Sequence, residues 1–129
     1  MNRSFLKFRH IAVIGALLLG VATLAFAADV DGVWKATFDT QIGEQHYTYT
    51  FKADGEKLTG TAKNDFSDTK IEDGVIKGND LSFTENLNFQ GQAITIKYKG
   101  KLDGDQINFT REVGTFATET FAAKREKAK

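Results

Sequence analysis

Two carboxylates and one guanidinium, Glu85, Glu119 and Arg111, each stand between apolar residues two positions away: Phe83 and Leu87, Ala117 and Phe121, Phe109 and Val113. In an extended strand residues i and i+2 share a face, so each charge is assigned to an apolar, inward face. Three inward charges at one end of a β-structure have two uses. They can converge with an aromatic wall as the polar groups of a small-molecule pocket, or Arg111 can bridge Glu85 and Glu119 as an ion network that plugs the interior. The same parity brings Phe38, Tyr47 and Tyr49 towards that end, so the candidate ligand-binding set is Phe38, Tyr47, Tyr49, Glu85, Arg111 and Glu119. Left unpaired, buried charges of this kind cost several kcal/mol each, so either use requires pairing or solvent. A third use, acid and base from Glu85 and Glu119 as in glycoside hydrolysis, rests on parity alone.

Other residue types argue against catalysis and metal chemistry. His46 is the only histidine beyond the first ten residues and has outward parity, which fits an exposed imidazole better than a zinc ligand. Ser67 and Ser82 stand outside any G-x-S-x-G context, and there is no cysteine, so a nucleophilic triad is not expected. Asp103-Gly104-Asp105 lacks the further spaced oxygen ligands of a calcium loop and reads as a turn, and the sequon at Asn108 falls inside a strand. No cofactor, no metal and no enzymatic activity are expected.

The elements that position these residues are written as a repeat. Residues 74–84 (GVIKGNDLSFT) and 100–110 (GKLDGDQINFT) both place an apolar residue, a Gly-containing turn and a period-two alternation in the same order, and 51–61 is a looser third copy. This is the pattern of consecutive β-hairpins. Eight strands are predicted, over 32–38, 45–53, 57–63, 69–76, 80–87, 93–102, 106–112 and 117–125. The chain has no proline, so every internal strand position can donate its N–H to a ladder. Inward positions are apolar on every strand, with a bulge at Gly74 needed to bring both Ile71 and Ile76 inside; outward positions are Thr, Lys, Asn and Ser. The fold class is therefore all-β, an eight-stranded antiparallel up-and-down meander barrel, with a two-layer β-sandwich as the alternative.

Asp31-Gly32-Val33-Trp34 resembles the G-x-W opening of lipocalins and avidins, and Asp54-Gly55-Glu56-Lys57-Leu58-Thr59-Gly60-Thr61 resembles the D-G-x-L-x-G-T hairpin of avidin-type barrels. The resemblance covers about 30 residues and implies a calycin-type barrel with a ligand cavity open at one end. It does not bring biotin with it, because avidins wall that site with several tryptophans and this chain has only Trp34; the C-terminal helix of lipocalins is absent from the pattern too. In lipocalin-like barrels a basic residue of the last strand packs over the G-x-W tryptophan. Trp34 and Arg125 are expected in those structural roles, at the end opposite the charges, with Lys124 replacing Arg125 if the register slips by one.

Residues 1–27 read as a secretory signal peptide: Arg3, Lys7 and Arg9, an apolar run, then Ala25-Phe26-Ala27 as the cleavage site. Its 18 uncharged residues from 11 to 28 also approach the roughly 17 of a membrane span, which leaves an uncleaved anchor as the alternative. Removing the signal turns a balance of 17 basic and 17 acidic residues into 14 against 17, a net charge of about −3. That excludes a nucleic-acid footprint and attraction to an anionic membrane surface. The expected organisation is a signal at 1–27, one barrel domain at 28–125 and a charged tail at 126–129, in a secreted or periplasmic protein. Two functions follow from the barrel: holding a small apolar or amphipathic ligand at one mouth, or acting as a solid-core structural or interaction module. An open mouth favours the first and a filled interior the second.

Overall fold

The computed structural model describes residues 29–127; the signal-peptide reading of 1–27 lies outside them. Nine antiparallel strands form the sheet: β1 (Gly32–Thr40), β2 (Gly43–Asp54), β3 (Lys57–Lys63), β4 (Asp68–Lys70), β5 (Glu72–Lys77), β6 (Asp80–Phe89), β7 (Gln92–Asp103), β8 (Gln106–Val113) and β9 (Ala117–Arg125). Each strand pairs with its sequence neighbours, apart from the interruption between β4 and β5, and β9 returns to pair with β1 through Trp34↔Arg125 and Lys35↔Lys124. The sheet is thereby closed into an up-and-down barrel, not a sandwich. Closure leaves no full-length edge strand.

The predicted fourth strand is two short ones, and the reason lies in the pleat. Ile71 and Ile76 both point inward although they lie five positions apart, an odd spacing that a regular strand places on opposite faces. A bulge resolves the conflict: Asp73 and Gly74 together oppose Phe83, between the pairs Glu72↔Thr84 and Val75↔Ser82, and Asp73 takes φ 54°. Gly74 has to be glycine because a Cβ there would lie 2.1 Å from the Leu58 carbonyl oxygen. Ile71, between the two pieces, keeps the seam closed by donating its N–H to the Gly60 carbonyl at 3.0 Å.

Alternation on the other strands puts the interior in three layers. At the closed end, Trp34, Phe51, Leu58, Leu102 and Ile107 are buried, with Val30 tucked beneath from the segment before β1. Tyr49, Phe83, Tyr98 and Phe109 fill the middle, with Phe83 and Tyr98 stacked at 4.3 Å and Phe109 edge-on to both. Gly100 makes room for this layer, since the Phe109 ring lies over it where a Cβ would be 2.6 Å away. The third layer, towards the 41–42, 64–67, 90–91 and 114–116 turns, does not close.

Trp34 is fully buried and its indole N–H donates to the Val30 carbonyl at 2.9 Å. The Arg125 guanidinium covers its ring at 4.3 Å, which is the expected contact in the unslipped register; Lys124 is exposed. Arg125 also donates to the carbonyls of Asp29 (2.6 Å) and Asp31 (2.8 Å) and to the Asp105 carboxylate (2.9 Å). One side chain thus ties the start of the barrel to its last strand and to the β7–β8 turn.

Candidate functional site

At the open end the interior holds a cavity of about 350 Å³. Its wall is apolar, made by Leu87 from β6, Ile94 and Ile96 from β7 and Val113 from β8, while its floor is polar, made by Gln45 and Tyr47 from β2, Arg111 from β8 and Glu119 from β9. Ile42, Phe66 and Phe116, at the tips of three turns, are 61%, 68% and 56% exposed around the mouth, and Phe89 joins them edge-on to Phe66. Ile42, Phe66 and Phe116 are three of the four exposed large apolar side chains among the described residues, and they share one end of the molecule.

The floor is a directed hydrogen-bond network. Arg111 Nε donates to Glu119 Oε1 at 2.6 Å and its Nη1 donates to Tyr98 Oη at 2.9 Å. Tyr98 in turn donates to Glu85 Oε1 at 2.7 Å, and Tyr47 donates to Glu85 Oε2 at 3.1 Å while accepting from Asn64 Nδ2 at 2.9 Å. With its own proton directed at Glu85, Tyr98 accepts from Tyr49, 3.0 Å away. Burial holds the phenols of Tyr49 and Tyr98 well above their ordinary values, so both remain donors at neutral pH. Burial likewise raises the Glu85 carboxyl, opposed by the hydrogen bond from Tyr98, the nearby guanidinium and the bond from Tyr47. Arg111 stays protonated: burial pulls its value down, and the Tyr98 and Tyr47 phenol oxygens and Glu119 more than offset it. Its guanidinium also lies over the Phe38 ring at 4.7 Å and the Tyr47 ring at 5.1 Å.

The six candidate residues therefore divide. Tyr47, Arg111 and Glu119 line the cavity; Phe38, Tyr49 and Glu85 lie beneath its floor. Phe38 is covered because it stacks on Phe121 at 3.9 Å with Arg111 above it. Tyr49 belongs to the middle aromatic layer, and Glu85, 0% exposed, is sealed by its two phenols. Parity assigns all six to the interior correctly and cannot assign their depth. Glu85 and Glu119 accordingly do not face one shared space, and Arg111 reaches Glu85 only through Tyr98. The plug and the pocket are one structure, an ion network whose upper surface is the cavity floor.

Gln45 was missed because the predicted β2 began there and its inward set at Tyr47, although the i, i+2 rule extends to it; it is buried, 6% exposed. The rim residues Ile42, Phe66, Phe89 and Phe116 were missed because they lie in or beside turns, where alternation carries no signal. Gln90 and Gly91 form the β6–β7 turn with φ of 53° and 80°, the two-residue left-handed turn that hairpin twist favours, here with glutamine in place of the usual asparagine. His46 is exposed on the outer face, paired with Glu44 (3.3 Å) and Asp65 (3.1 Å), and the hydrogen bond to Asp65 raises its value. No group of three or more His, Cys, Asp or Glu among the described residues is arranged to hold a metal ion. Neither a family model, nor a curated protein, nor a solved structure matches this chain.

Proposed function

We propose that this chain is an exported protein that holds a small, partly apolar ligand in the open end of its barrel. The observation that carries the reading is the division of one continuous interior: the same strands that fill the closed end with Trp34, Phe51 and Ile107 enclose a cavity of about 350 Å³ at the other. That volume lies in the range of roughly 300–1,000 Å³ occupied by small-molecule sites, and apolar walls around a few fixed polar groups are their usual composition. A barrel serving only as a structural module has no need of the void, since side chains fill eight-stranded barrels readily. The resemblance to calycin barrels points the same way, and the signal-like residues 1–27 support export to the periplasm or beyond.

Native mass spectrometry of the protein purified from its own host tests this directly. The expected result is an adduct of small-molecule mass that is absent from Ile94→Trp, in which an indole occupies the cavity. A wild-type protein that carries no adduct, and takes up no apolar small molecule offered to it, overturns the reading.

A further inference from the structure

The cavity is poor in charge and rich in amides. Among the described residues, Arg111 and Glu119 are its only charged lining side chains, against six side-chain amides: Gln41, Gln45, Asn64, Asn88, Gln90 and Gln92. The one cation is already matched, by Glu119 directly and by Glu85 through Tyr98. With Glu85 ionised the floor carries one net negative charge, and with Glu85 protonated it carries none. In neither state is positive charge left over for an anion.

Hydrogen-bonding capacity, by contrast, is left over. The Gln45 amide makes no hydrogen bond to another described residue, and no buried side-chain nitrogen or oxygen among those residues lacks a partner, so this amide opens to the cavity, beside the Arg111 guanidinium, which also interacts with the Tyr47 phenol and lines the same floor. A donor and an acceptor are thus presented together without surplus positive charge. A carboxylate or phosphate head would have to shed its water and then compete with Glu119 for Arg111. An ammonium would meet the guanidinium face. An uncharged hydroxyl or amide meets neither penalty.

Resting on the reading of the cavity as a ligand site, we infer that it selects a neutral amphipathic molecule, its uncharged hydrogen-bonding head on Arg111 and Gln45 and its apolar body against Leu87, Ile94 and Val113. Glu119 sets this selectivity by neutralising Arg111, and it does so without being the principal contact of the head group.

The test is a calorimetric titration of the wild-type protein at neutral pH with three probes that share a ten-carbon chain: 1-decanol, decanoate and decylammonium. Decanol is expected to bind at least about tenfold more tightly than either ion, the scale of a like-charge or unpaired-charge penalty in a partly desolvated site. Glu119→Gln keeps the shape and removes the charge, and should raise decanoate affinity by about tenfold while moving decanol by less than about threefold. Decanoate or decylammonium binding the wild type as tightly as decanol overturns the head-group selection and leaves the cavity a ligand site. No binding by any of the three overturns both. The wild-type series decides the matter by itself if Glu119→Gln fails to fold by circular dichroism.

Discussion

At the closed end of the barrel each inward side chain meets another: Trp34 is capped by Arg125 at 4.3 Å, and Val30, Leu58 and Ile107 are at most 2% exposed around it. At the open end the strands continue outward with the same alternation, yet Leu87, Ile94 and Val113 are only half-buried, and the turns beyond them carry Ile42, Phe66 and Phe116 into solvent. Between the two lies the network of Tyr47, Glu85, Tyr98, Arg111 and Glu119. Stability should therefore depend steeply on the closed end, while the open end is free to serve a ligand. Such a network is an economical boundary, because its buried polar atoms are satisfied from below and its upper surface still presents polar groups.

The largest effect expected is from Trp34→Ala, which removes a fully buried indole from beneath Arg125. A loss of about 3–5 kcal/mol in urea denaturation is expected, a large part of the 5–15 kcal/mol typical of a domain. Arg125→Ala should cost about 2 kcal/mol, since it forfeits a cation–π contact and charge-assisted bonds to two carbonyls, each partly replaced by water. If both changes leave the midpoint within error, the closed end does not hold the barrel, and the contrast between the ends is broken.

Arg111→Ala tests the boundary. It leaves Glu85 and Glu119 facing each other's field without a counter-ion, and a loss of about 3 kcal/mol is expected, as for other buried pairs deprived of one partner. Adding Glu119→Gln should return part of that loss, because one stranded charge is removed. A double variant no more stable than Arg111→Ala would mean that the side chain matters for its packing on Phe38 and Tyr47 and not for its charge.

A smaller effect is readable as a pH dependence. Burial raises the Glu85 carboxyl in the folded protein, so between the ordinary carboxylate range and that raised value the native state retains a proton the unfolded chain has released. More protons on the native state means that stability falls as pH rises through this window. Relative to Glu85→Gln, the wild type should therefore lose stability as pH climbs through the window and hold a constant difference above it. A difference that runs the other way would show that the Tyr47, Tyr98 and Arg111 partners outweigh burial, making the carboxylate a stabilising charge.

How much of this was legible in the residues themselves follows from what alternation can encode. Period two places Trp34, Glu85, Arg111 and Glu119 on the inner face, and the odd spacing of Ile71 and Ile76 demands the bulge that Asp73 and Gly74 provide. The pairing of Trp34 with Arg125 follows from strand count and direction. Depth along the barrel axis is another matter. Phe38 and Tyr47 have the same parity on paired strands, yet one lies beneath the guanidinium and the other reaches the cavity, a difference set by how the rings stack. Val30 and the carbonyls of Asp29 and Asp31 close the other end from a segment with no periodicity at all.

The smallest stability change is expected at the rim, and it sharpens the comparison most. Phe66 and Phe116 are more than half exposed, so converting both to serine removes little buried area. The folding free energy should change by no more than about 0.5 kcal/mol, as for surface substitutions elsewhere. Binding should respond differently: an apolar ligand that emerges from the cavity between these rings loses contact area with them, and its dissociation should quicken while the barrel stays intact. Stopped-flow release of a bound fluorescent apolar probe, set beside urea denaturation of the same double variant, separates the two quantities. Faster release at unchanged stability assigns the exposed rings to the ligand. Unchanged release together with a loss of more than about 1 kcal/mol would instead make them part of the packing that holds the open end in shape, and the division between a structural end and the proposed binding end would have to be drawn above the rim.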